Sequence, residues 1–219
     1  MAELYHAPIR LSTFRASRSL TSRNVGRKLS VQLPESTNRM EFIRSVDVQI
    51  LLWFQSLRRP YLNEGFAVVT ELGSSMFLFG LGVLLLFLQG NNWKRAAAAI
   101  WIAAFISLHA VALLKTFFAI PRPHLLHLVT PLVTSSGFAL PSGHTAMAFS
   151  AASVMRERVP SWGPVWFILA ALVTVSRIYL GVHYPSDCLV GMLLGAIIGQ
   201  WVARKLIPVR VPEALDSNA

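Results

Sequence analysis

The chain has 219 residues, of which 54% are hydrophobic and only 14% charged, with a mean hydropathy of +0.53. That is too apolar for an ordinary soluble domain and points to a membrane. The formal charge is +10 and there is one cysteine, Cys188; a single thiol excludes an intrachain disulfide and a cysteine-based zinc cluster.

Residues 1–40 hold Arg10, Arg15, Arg18, Arg23, Arg27, Lys28 and Arg39 against only Glu3 and Glu35. The segment is rich in Ser, Thr and Arg and has no apolar periodicity. It therefore lacks the folded recognition face that nucleic-acid binding needs, and no nucleic-acid partner is expected. A basic, flexible tail attracted to a membrane surface fits this composition. So does a transit peptide, which would place the protein in an organellar membrane, and so does translation starting at Met40.

The next segment, 41–57, spaces Phe42, Val46, Ile50, Trp53, Phe54 and Leu57 at helical intervals among polar residues. This predicts an amphipathic helix at the interface rather than a further span. Residues 65–89, 96–118, 162–182 and 187–207 are each close to the ~20 apolar residues that cross a bilayer. Residues 143–159 are shorter and more polar, and are expected to span with their Ser, Thr and Gly positions buried by neighbours. The expected fold is all-α: an integral membrane bundle of five to six transmembrane helices over 41–207, followed by a short tail at 208–219. Gly191, Gly195 and Gly199 form a small-residue stripe suited to close helix packing within that bundle.

Alternating spans place Lys94, Arg95, Arg156, Arg158, Arg204, Lys205 and Arg210 on one side, which the positive-inside rule makes cytoplasmic. The other side collects Lys115, Arg122 in "PRPH", Ser142, Gly143 and His144 in "PSGH", and Arg177, His183 and Asp187 in "SRIYLGVHYPSD". Cations at a hydrophobic boundary are costly unless partnered, and one carboxylate cannot balance three. An anion with several oxygens, naturally a phosphate, is the missing partner. Ser142 and Gly143 at a helix start add backbone N–H groups aimed at such an anion. Two histidines beside a phosphate permit nucleophile and acid roles. Asp187 can reach back to one ring nitrogen of His183 while the other attacks, which leaves His144 to protonate the leaving oxygen.

Three signatures, "KTFFAIPRP" from Lys115, "PSGH" from Pro141 and "SRIYLGVHYPSD" from Ser176, stand complete and in order. In these the chain resembles the type 2 phosphatidic acid phosphatase superfamily, which also contains bacterial acid phosphatases and vanadium haloperoxidases. The resemblance implies a phosphatidic acid phosphatase/haloperoxidase-like helical core. It also implies a phosphohistidine on His183 supported by Asp187, with His144 acting as general acid and then assisting water. Lys115, Arg122, Ser142, Gly143 and Arg177 would hold the phosphate. No metal and no cofactor is implied.

The expected protein is thus a membrane lipid phosphatase acting on a lipid phosphate or diphosphate of the undecaprenyl diphosphate, phosphatidic acid or phosphatidylglycerophosphate type. Its site is expected on the non-cytoplasmic face of a bacterial cytoplasmic membrane. A phosphotransferase with an alcohol acceptor shares the same residues. A non-catalytic lipid-binding or transport protein would need neither histidine. His109 is expected to pack in the core of its span, and Glu71 is assigned no role.

Overall fold

The computed structural model describes residues 35–206, and side chains from residue 41 onward; the basic segment 1–34 and the tail 207–219 lie outside them. The chain runs through α1 (Glu35–Ser56), α2 (Pro60–Glu71), α3 (Ser75–Leu86), α4 (Asn91–Phe118), α5 (Gly143–Arg158), α6 (Gly163–Tyr179) and α7 (Pro185–Trp201). Short 3-10 turns lie at Pro123–Leu126 and Pro160–Trp162, and a π turn, Val202–Leu206, continues α7. The first helix starts at Glu35, earlier than position 41.

The central element is α5, packed against α4, α6 and α7, with Thr145 to Met155 buried throughout. Its polar residues therefore face protein rather than lipid. This explains how so weakly apolar a helix sits in the middle of the bundle. The stripe on α7 provides the close approach: a methyl on Gly191, Gly195 or Gly199 would overlap the backbone of Ser142, Ala146 or Ser150. Glycines at these three positions let α7 lie backbone to backbone along α5.

Among the described residues, α4, α6 and α7, taken with their flanking turns, are each long and apolar enough to cross a membrane. The predicted span at 65–89 is broken: α2 and α3 meet at 59° and pass the same test only as a bent pair. Ser74 is extended and its side chain accepts a hydrogen bond from the Phe77 N–H at 3.1 Å, starting α3 afresh. A hydropathy average does not see a serine cap. At the break, a Cβ on Gly73 would lie 2.7 Å from the His144 carbonyl oxygen, so only glycine lets the bend press on the start of α5.

The amphipathic α1 is not among the helices apolar enough to span. It leaves Phe42, Ile43 and Trp53 exposed while Val48 and Leu51 pack with Ile178, Tyr184 and Cys188. It therefore rests on α6 and α7 behind the polar cluster. Cys188 is a buried free thiol whose sulfur lies 4.0 Å from the Thr174 carbonyl.

Candidate active site

The signature residues are delivered by four helices and the loop that follows α4. Lys115 lies in the last turn of α4, Arg122 in the loop beyond it, Ser142, Gly143 and His144 at the start of α5, Arg177 in the last turn of α6, and His183 and Asp187 around the start of α7. The structure brings them to one end of the bundle. Burial, with the charges of Arg122, Arg177 and Lys115 and the neighbouring His144, holds the His183 imidazole well below the usual histidine range. His183 and Asp187 are each 1% exposed, whereas Lys115, Gly143 and His144 are half-buried and form the accessible rim.

The histidine is held between two groups. Its Nδ1 lies 3.4 Å from Asp187 Oδ2, an electrostatic contact without a hydrogen bond, and its Nε2 lies 3.2 Å from Arg122 Nη1. A guanidinium can only donate, so Nε2 accepts and the ring proton is assigned to Nδ1, facing the carboxylate. That tautomer leaves the Nε2 lone pair as the nucleophilic position. Asp187 Oδ2 also accepts from the Tyr184 N–H at 2.8 Å, which ties the carboxylate to the first turn of its own helix.

Each cation has a distinct anchorage. Arg122 donates to the carbonyls of Gly137 at 3.0 Å, Ser136 at 2.9 Å and Val182 at 2.9 Å, so one side chain links the 119–141 loop to the loop bearing His183. Lys115 Nζ donates to the Phe138 carbonyl at 2.9 Å. Arg177 donates to Thr70 Oγ1 at 2.8 Å, while its buried Nε has no hydrogen-bond partner. Such an orphaned guanidinium N–H fits a site built to receive an oxyanion.

Ser142 is the extended residue before α5, fully buried, with its N–H donating to the Asp187 carbonyl at 3.0 Å. The start of α5 is thereby locked to α7. Gly143 has ordinary backbone geometry, and a methyl added to it would meet only Val111 Cγ1, at a comfortable 3.5 Å. The fold itself does not require glycine there. Gly143→Ala should therefore leave the melting temperature within a few degrees while lowering kcat/KM by about tenfold or more, because the methyl crowds an anion approaching the helix start. Equal kcat/KM for the two proteins would remove Gly143 from the phosphate site.

Sequence reasoning missed Thr70, which sits at the end of α2 beside Glu71 and orients Arg177. A threonine within an apolar run gives no signal of its own. It also missed Gln55 and Arg58, which donate to the carbonyls of Ile178 and Tyr179 and brace the end of α6 from the last turn of α1 and the turn after it. His109 is not in the core: it lies exposed on α4, within 2.8 Å of the Phe105 carbonyl and against the Phe105 ring. A helical face turned to lipid counts as exterior here, and the local hydrogen bond satisfies the imidazole there. His124 and His127 lie in the turn after Arg122, His127 exposed. Among the described residues, no group of three or more His, Cys, Asp or Glu is placed to hold a metal ion.

The family model described as the PAP2 superfamily matches residues 95–207, the stretch that holds every one of these signature residues. The chain belongs to the PAP2 superfamily. Over 170 residues it is 30% identical to phosphatidylglycerophosphatase B of Bacillus subtilis, covering 71% of this chain and 81% of that one. Over 120 residues it is 35% identical to decaprenylphosphoryl-5-phosphoribose phosphatase of Mycobacterium tuberculosis, covering 54% of this chain and 64% of that one. The crystal structure of a transmembrane PAP2 type phosphatidylglycerolphosphate phosphatase from Bacillus subtilis superposes with a TM-score of 0.67 at 28% identity, covering 76% of this chain and 87% of that one. The PAP2 chain described here is an integral membrane protein and a phosphoric ester hydrolase of lipid phosphates.

Proposed function

We propose that this PAP2 protein hydrolyses a phosphate monoester or diphosphate carried by a membrane lipid, through a covalent phosphohistidine on His183. The observation that supports this most is the pairing of His183: Nδ1 toward Asp187 and Nε2 toward Arg122. A phosphoryl oxygen that takes over the Arg122 N–H leaves the Nε2 lone pair free to attack in line.

In the first step Nε2 forms a bond to phosphorus, and the bond from phosphorus to the lipid oxygen breaks. The departing oxygen keeps the electron pair and takes a proton from His144. Asp187 balances the positive charge that develops on the His183 ring. In the second step water attacks phosphorus and gives a proton to His144. The P–N bond then breaks, its electrons return to His183, and inorganic phosphate leaves. Lys115, Arg122, Arg177, the Ser142 hydroxyl and the Gly143 N–H stabilise the equatorial oxygens.

The substrate arrives from the bilayer, because the site lies among apolar helices at one end of the bundle. The basic residues Lys94, Arg95, Arg156, Arg158, Arg204 and Lys205 favour a cytoplasmic location for the opposite end. The site then opens on the non-cytoplasmic face of a bacterial cytoplasmic membrane.

Phosphate release should be measured from purified phosphatidic acid, phosphatidylglycerophosphate and undecaprenyl diphosphate in detergent, with chelator present and no added alcohol. Turnover of at least one lipid is expected under these conditions. Turnover that stops on chelation, or that occurs only with an alcohol acceptor and yields its phosphate ester in place of inorganic phosphate, would overturn the metal-independent hydrolase.

A further inference from the structure

The first turn of α7 is fixed from outside by a residue that belongs to none of the PAP2 signatures. Asp47, on α1, accepts from the Ser186 N–H through Oδ1 at 2.9 Å and from the Ser186 hydroxyl through Oδ2. Ser186 is the second residue of α7, following Pro185, and its N–H is one of those a helix start leaves without an internal partner. It immediately precedes Asp187, whose carboxylate reaches Tyr184 N–H and His183 Nδ1.

We propose that Asp47 is a positioning residue for the His183–Asp187 pair, an inference that rests on the nucleophilic role proposed for His183. The turn is also fastened by the Tyr184 N–H on the Asp187 carboxylate, by the Ser142 N–H on the Asp187 carbonyl and by the packing of Cys188. Asp47 adds two bonds from a helix far away in sequence, and a carboxylate is well placed against the positive end of a helix. Val48 and Leu51 on the same helix pack with Ile178, Tyr184 and Cys188, so the carboxylate is delivered by a docked surface rather than a loose side chain. A small shift of this turn moves Asp187 relative to Nδ1 and tilts Nε2 away from the line of attack.

The test uses the full chain in detergent, labelled with 15N-histidine, as wild type, Asp47→Ala and Asp47→Asn. Asparagine can keep both contacts, accepting from the Ser186 N–H and donating to its hydroxyl. In Asp47→Ala, kcat should fall by about tenfold or more while KM stays within about twofold, the signature of lost alignment rather than lost binding. Asp47→Asn should recover most of kcat. The side-chain nitrogen resonances of His183 should move in Asp47→Ala and return in Asp47→Asn, while those of His109, exposed on α4, stay put.

Unchanged His183 resonances in Asp47→Ala would overturn the proposal whether or not a substrate is known. So would a kcat loss matched by an equal rise in KM. If wild type releases no phosphate from any lipid but the His183 signals still shift, the positioning role stands and the hydrolase reading falls. Should Asp47→Ala fail to fold, Ser186→Ala removes only the hydroxyl contact. It must then show a smaller kcat loss and resonance shift in the same direction, and wild-type behaviour of that variant counts against the proposal.

Discussion

His183→Ala is expected to bring phosphate release below detection and to abolish the acid-labile phosphoenzyme in rapid-quench labelling. His144→Ala should retain slow turnover, reduced by about 10²–10⁴, the usual contribution of a positioned general acid. The two losses differ because His183 supplies the atom that bonds to phosphorus, whereas His144 supplies only a proton to the departing oxygen and later takes one from water. A p-nitrophenyl ester separates them further, since its leaving group departs without protonation. With that substrate His144→Ala should form the phosphoenzyme at nearly the wild-type rate and then accumulate it, because the water step still lacks its base. His183→Ala should form none. His183 is 1% exposed, so melting temperatures must show that the variant is folded. Wild-type turnover by folded His183→Ala would refute the assignment.

The convergence of Lys115, Arg122, His144, Arg177, His183 and Asp187 was legible in the sequence. Each sits at the end of an apolar run, and alternation of spans sends those ends to one side. The all-helical fold and its PAP2 core followed from the same runs and signatures, and the burial of α5 followed from its small and polar composition. The sequence pointed to Asp187 beside His183 but did not reveal what holds the cations or the turn that carries this pair. Thr70 supports Arg177 from the broken end of α2, and a 59° bend there is invisible to an average over apolar residues. Asp47 supports α7 across a separation of 139 positions, and nothing in a period or a motif links the two. His109 shows the opposite failure: rules learned from soluble cores put histidines inside, while a lipid-facing helix hides one against its own backbone carbonyl. Long-range hydrogen bonds from unremarkable residues are decided by packing, and packing is the level that periodicity does not reach.

Arg122→Lys should lower kcat/KM by about 10²–10³, nearly as much as Arg122→Ala, although the charge is kept. The reason is the number of groups that one guanidinium serves. Its Nε and Nη2 hold the carbonyls of Gly137 and Ser136, and its Nη1 reaches both the Val182 carbonyl and His183 Nε2. A lysine has a single nitrogen and cannot hold the 119–141 loop and the His183 loop at once. Either the loop loosens or the contact beside the nucleophile is lost. Lys115→Arg makes the informative contrast, because Lys115 makes one hydrogen bond, to the Phe138 carbonyl, and serves as a point charge. That variant should retain kcat/KM within about tenfold. Measuring both with one lipid separates charge from geometry: if Arg122→Lys matches wild type, the planar fork is irrelevant and Arg122 contributes only its field. If it falls as expected while Lys115→Arg survives, the same side chain that shapes the loop also sets the position from which the phosphoryl group is received.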